Sequence, residues 1–169
     1  GANWRVREMP MAFGRYEANF RYKQPGDGAQ PAVWETRLPH SGEYDVAYYY
    51  IMPRFGRRMG LAKSFTLTVT HEAEVDTLTL EHDQLKGGWN LLGRFDFEAD
   101  EAVKVVLSDV ADGRLYADAV RWRFVDPDRP TDVYAEDLPA WEGFGRMRGG
   151  GSPGRGGGRS PQRGAYRHW

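Results

Sequence analysis

The chain has 169 residues, no cysteine, a formal net charge of −1 and 14% aromatic side chains. That length holds one domain with a proper core plus extensions, and without disulfides the core must supply the stability. No run of 18 apolar residues occurs, which excludes a membrane-spanning helix. The charge average conceals two unlike parts. Six of the 23 Lys+Arg residues and none of the 24 Asp+Glu residues lie after Glu142, which leaves residues 1–142 with 17 cations against 24 acids, a net of −7. The body is acidic and the tail is basic.

Residues 1–12 have mixed polarity around Trp4 and Val6 and are expected to be an edge strand or a linker. No signal segment precedes Gly1, so a processed chain or the C-terminal portion of something longer is expected. Phe13, Tyr16, Phe20 and Tyr22 follow among arginines. Such rings either stack on sugars or pack at a sandwich edge, and packing is the commoner use. Residues 24–28 (QPGDG) make a turn. Residues 32–38 make a strand with Val33 and Glu35 on one face and Trp34 and Thr36 on the other, stopped by Pro39. Trp34 joins Tyr16 as an aromatic candidate for ligand contact. Residues 43–51 form a long strand whose Tyr44, Val46, Tyr48 and Tyr50 share the core face.

Residues 52–63 form a loop mixing cations with large apolar side chains. Its Arg54, Phe55, Arg57 and Arg58 are candidate binding residues for an acidic glycan, a phosphate or an acidic protein surface, because guanidinium forks match carboxylates and phosphates. A solvated loop with Phe55 and Leu61 tucked under the sheet is equally consistent. Residues 64–70 and 74–81 alternate in period 2 and read as a hairpin across residues 71–73. His71 and His82 with Glu72, Glu81 and Asp83 match no metal-ligand spacing, so no metal or other cofactor is expected.

Three further strands are expected over 89–97, 102–108 and 115–125. In the last, Tyr116, Asp118, Val120, Trp122 and Phe124 share the core side. Asp118 is then a buried carboxylate, and burying an ion requires a partner. The expected partners are the amides of the turn at Asp112 and Gly113 or a nearby arginine. Asp118, Trp89 and Trp122 are accordingly assigned structural roles.

Residues 126–130 (DPDRP) end the sandwich. Asp126, Asp128 and Asp132 resemble a calcium loop only superficially, lacking its glycine and distant glutamate. Residues 126–145 are read as a linker or docking segment with Trp141 and Phe144 as apolar anchors. Residues 146–169 are rich in glycine and arginine, and composition predicts disorder for them unless an outside partner holds them. Arg146, Arg148, Arg155, Arg159, Arg163, Tyr166 and Trp169 are the candidate contacts to such a partner, another protein chain.

GGWNLLGRFDF at 87–97, VKVVLSD at 103–109 and DGRLYADAVRW at 112–122 occur in an order that resembles the golvesin C-terminal-like domain. Upstream, Gly26-Asp27-Gly28, Ala32-Val33-Trp34, Leu38-Pro39 and the stretch from Ser41 to Val46 fit the first half of the pattern, so the resemblance runs from about Gly14 to Val125. It implies an all-β fold, an antiparallel β-sandwich of the jelly-roll, galactose-binding-like kind over 13–125. It also implies a noncatalytic accessory role in xanthan-lyase-like or other large secreted bacterial proteins, at the cell surface or outside the cell. No catalytic residues come with the resemblance.

Three functions follow in order of preference. The first is a noncatalytic surface module that docks in an assembly through its loops and tail, with acidic glycan as a second ligand. Nucleic acid is disfavoured, since an acidic body repels phosphates despite the Arg-Gly tail. A lyase-like enzyme comes last, because the tyrosines and arginines have no spacing that marks a base and a carboxylate neutraliser.

Overall fold

The structure, a computed structural model, describes residues 3–8, 12–13, 19–52, 60–71, 74–126, 128 and 131–136. Its strands are β1 (Arg5–Glu8), β2 (Asn19–Lys23), β3 (Ala32–Arg37), β4 (Gly42–Tyr50), β5 (Ser64–His71) and β6 (Glu74–Glu81). They continue with β7 (Gly88–Phe97), β8 (Ala102–Leu107), β9 (Leu115–Ala117), β10 (Ala119–Phe124) and β11 (Asp132–Glu136). One short 3-10 turn, His82–Gln84, follows β6. Among the described residues, no helix is long and apolar enough to cross a membrane.

The strands pair antiparallel into three sheets, ordered β3-β8-β5-β6, β11-β10-β4-β7 and β1-β2-β9. The two four-stranded sheets make the sandwich. Alternation places Trp34, Phe65, Leu67, Val69, Val103, Val105 and Leu107 inward from one sheet. Tyr44, Val46, Tyr48, Tyr50, Phe97, Val120 and Trp122 meet them from the other. Rings interlock across the gap: Trp34 stands edge-on to Tyr48 at 5.8 Å, and Phe65 stacks on Tyr50 at 6.0 Å. Burial pushes the Tyr50 hydroxyl up to about 12. The Tyr48 hydroxyl, also raised by burial, donates to the Tyr116 carbonyl at 2.5 Å.

Three expectations need correction. The strand expected over 115–125 is two, because Asp118 breaks the ladder where the chain passes from the three-stranded sheet to a four-stranded one. Asp118 is 3% exposed. Its carbonyl accepts from the Trp34 indole at 3.0 Å and its carboxylate from the Phe13 amide at 2.8 Å. The turn named as its partner instead uses Asp112 to hold the Lys63 amide at 2.8 Å. Finally, the sandwich does not end at Val125. β11 pairs with β10 over five residues and buries Ala135, so the stretch read as linker supplies an outer strand.

A bulge in β7 decides which side chains leave the core. Val46 faces Gly93 while Ala47 faces Leu91, so Leu92 is the extra residue and turns toward the core. Phe95 and Phe97 follow it inward, while Trp89, Leu91 and Arg94 point away.

Candidate functional site

The outer face of β11-β10-β4-β7 is built from the strand positions that the core does not use. β4 contributes Asp45 and Tyr49, β7 contributes Trp89, Leu91 and Arg94, β10 contributes Arg121 and Arg123, and β11 contributes Asp132 and Tyr134. Register sorts these into two adjoining zones.

The first is aromatic. Tyr49 lies directly opposite Trp89, with the rings edge-on at 5.1 Å. Phe13, brought in by the hydrogen bond its backbone amide donates to the Asp118 carboxylate, completes the group: it stacks on Tyr134 at 5.3 Å and meets Trp89 at 5.0 Å and Tyr49 at 5.5 Å. Arg121 sits with its guanidinium carbon 4.8 Å above the Trp89 ring, a cation–π contact. Its Nε is enclosed with no acceptor among the described residues. Tyr134 is 40% exposed and Leu91 66%, so the group opens to solvent along one flank. Burial and the nearby Asp118 charge raise the Tyr49 hydroxyl, and burial with the Asp132 hydrogen bond raises that of Tyr134. Both stay neutral and hydrogen-bond capable at ordinary pH.

The second zone is a charge ladder running across the strands, Asp132–Arg123–Asp45–Arg94, each residue directly opposite the next. Arg123 grips Asp132 with bonds of 2.8 and 3.2 Å, and Arg94 grips Asp45 with 2.8 and 3.2 Å. Burial pushes Asp132 upward, but the bonds from Arg123 and Tyr134 and the Arg123 charge prevail, holding its carboxyl below the usual range. The ladder lies beside the rings and presents alternating donors and acceptors.

The residues named from sequence fall in several places. Trp34 is 0% exposed and bonded to Asp118, so it is a core residue with no face for a ligand, and it is withdrawn as a binding candidate. Trp122 is wholly buried. Trp89, assigned to structure, packs at the centre of the outer aromatic group. Tyr16, Arg54, Phe55, Arg57 and Arg58 lie outside the described residues, as do Trp141, Phe144 and the whole 146–169 tail. Any partner inferred from an ordered tail therefore has no structural support. His71 meets Asp76 at 2.7 Å and His82 meets the Tyr50 hydroxyl at 2.5 Å, at opposite ends of the β5–β6 hairpin. Among the described residues no three His, Asp or Glu side chains gather into a metal site.

The fold and this face define a β-sandwich module that carries its distinctive chemistry on the outside of one sheet. Residues 1–124 match the Golvesin C-terminal domain, and the chain belongs to that family. The match starts at residue 1 rather than near Gly14, as the pairing of β1 with β2 explains. Among solved structures, a xanthan lyase from Paenibacillus is similar in fold, with a TM-score of 0.58 and 23% identity over 81% of this chain. This chain spans only 11% of that lyase. Among curated proteins, none matches.

Proposed function

We propose that this domain is a noncatalytic holding module of a larger secreted bacterial protein, which keeps its parent on a polysaccharide through the outer face of β11-β10-β4-β7. The observation that carries this reading is the Phe13, Tyr49, Trp89 and Tyr134 group beside Arg121, a set of rings on a rigid sheet with hydrogen-bonding groups at its edge. Sugar rings present C–H faces that stack on aromatic faces, and their hydroxyls suit a margin of alternating donors and acceptors. The small share of the xanthan lyase that the domain matches supports an accessory role, since most of that chain lies elsewhere. Docking in an assembly through residues 146–169 is a second element, supported by six arginines without one acid.

Affinity electrophoresis of the full chain through gels holding xanthan, other bacterial polysaccharides or none tests the reading. Each ring contributes about 0.5–1.5 kcal/mol, and 1.4 kcal/mol is tenfold, so Trp89→Ala with Tyr134→Ala weakens retention roughly five- to a hundredfold. The circular dichroism spectrum stays unchanged. Retention by no polysaccharide, or retention indifferent to both substitutions, sinks the reading. So does release of unsaturated sugar ends by the chain alone, which would make it a catalyst.

A further inference from the structure

The three-stranded sheet carries a cluster that the holding face does not use. Arg5 and Arg7 share one face of β1, and register sets Arg5 opposite Tyr22 and Arg7 opposite Phe20. Arg114 arrives from the loop before β9. The guanidinium carbons of Arg7 and Arg114 stand 5.3 and 5.7 Å from the centre of the Tyr22 ring. Burial opposes the shift, but the Arg7 and Arg5 guanidiniums beside it hold the Tyr22 phenol below its usual value. The Gln24 amide, turned with its oxygen toward Arg114, accepts at 3.1 and 3.3 Å.

The arrangement is anchored from below. Phe20, Tyr116 and Ile51 form a small buried cluster against which Tyr22 and Leu61 pack. Arg114 is pinned through its backbone, its amide donating to the Gly60 carbonyl at 2.7 Å and its carbonyl accepting from Ala62 at 3.0 Å. The preceding Gly113 allows this approach, since a Cβ there would lie 2.6 Å from the Leu61 and Ala62 backbone.

The cations that are ion-paired among the described residues lie outside this cluster. Lys23, Arg94, Lys104 and Arg123 each meet a carboxylate. Among the described residues, Arg5, Arg7 and Arg114 meet none, although residues 1–142 carry a net of −7 and have acids to spare. Three guanidiniums around one phenol repel one another until an anion enters, and their planar forks suit carboxylates. Tyr49 packs against this same buried cluster and also belongs to the Phe13–Trp89 group, so the cluster adjoins the proposed holding face.

We propose that Arg5, Arg7 and Arg114, gathered on Tyr22, bind the carboxylates of a uronic-acid-bearing polysaccharide, a specificity that rests on the holding role proposed above. Rings take the faces of the sugars and the arginines select those that are acidic. A nucleic acid offers anions too, but the acidic body opposes a dense line of phosphates.

The test measures affinity of the full chain by calorimetry, at low and high salt, for three probes: polygalacturonate, its methyl ester and single-stranded DNA. The expected result is binding of polygalacturonate at least tenfold tighter than of the ester, weakened by salt. Arg5→Ala with Arg7→Ala removes that preference. Arg114→Lys, which keeps the charge and the stem over Tyr22, reduces it and guards against a folding defect. Lys104→Gln, on the opposite sheet, leaves it unchanged. Equal affinity for acid and ester, arginine variants that bind as the parent does, or tighter binding of DNA overturns the proposal. Ester binding that depends on Trp89 but not on the arginines overturns this selectivity alone and leaves the holding role standing, whereas no binding of either glycan removes both.

Discussion

The buried pair of Lys23 and Asp109 gives a sharp test of how the sandwich closes at its loop end. Lys23 is 2% exposed and Asp109 0%, and they form an ion pair across a separation of 86 residues. The second carboxylate oxygen of Asp109 has no partner among the described residues. The turn after β2 is tied to the same place, for the Gly26 amide donates to the Asp109 carbonyl at 2.6 Å. A Cβ on Gly26 would run into both the carboxylate and the ammonium. Lys23→Met therefore leaves a carboxylate sealed away from water with its cation gone, which costs about 3–5 kcal/mol. That is a large fraction of the roughly 5–15 kcal/mol that holds a domain together. With a urea m-value of about 2 kcal/mol per molar, the midpoint falls by about 2 M. Removing both charges with Lys23→Met and Asp109→Leu recovers most of the loss, since desolvation of the ions disappears with them. Tryptophan fluorescence during urea unfolding reads all three proteins. A drop under about 0.5 M for Lys23→Met, or a double variant weaker than the single one, refutes the reasoning.

Trp34→Ala opens the centre of the core and orphans the Asp118 carbonyl, with an expected loss of about 3–5 kcal/mol in the same urea assay. Asp132 is held below the carboxylate value of 3.8, so its ion pair supports folding above that pH and is lost as pH falls through the lower folded value. The pair is half-buried, so the effect is small, and Asp132→Asn removes it; matching acid-unfolding curves for the two proteins would contradict this. Deleting residues 146–169 leaves the melting temperature of the sandwich unchanged and abolishes assembly with the parent's partners; a large drop in melting temperature would place the tail in the core.

Local pattern made most strands legible. Tyr44, Val46, Tyr48 and Tyr50 alternate into the core, as do Phe65, Leu67 and Val69, because one buried face imposes period 2 on any strand that flanks it. What escaped was set by distant pairing. Asp118 reads as a buried carboxylate, yet one of its partners is an amide 105 residues away, and no local signal points to Phe13. Arg5, Arg7 and Arg114 look like ordinary surface cations until β1, β2 and the loop before β9 bring them to one ring. β11 is masked in the sequence because residues 126–130 carry two prolines and read as an end, although Val133 and Ala135 alternate with Asp132 and Tyr134. The outer facing of Trp89 is hidden for a different reason: parity along 87–97 is interrupted by the bulge at Leu92, which periodicity alone does not reveal.

The two outer faces of the sandwich act as controls for each other. Both sheets spend their inner residues on the same core, so any difference outside is free of that constraint. On β5 and β6 the outward positions include Thr66, Thr68, Thr70, Thr77 and Thr79, with threonine opposite threonine at two places and Val75 opposite Thr70. β3 and β8 add Glu35 bonded to Lys104 and Val33 opposite Val106, so the described strand positions of this face carry no ring. The face of β11-β10-β4-β7 instead gathers Tyr49, Trp89 and Tyr134 and recruits Phe13 from outside the sheet to cover them. Folding alone requires no such group, because a threonine-bearing face satisfies the same backbone at less cost in exposed apolar area. Rings that a sandwich does not need for closing, gathered on one outer face, are the feature on which the proposed holding role rests.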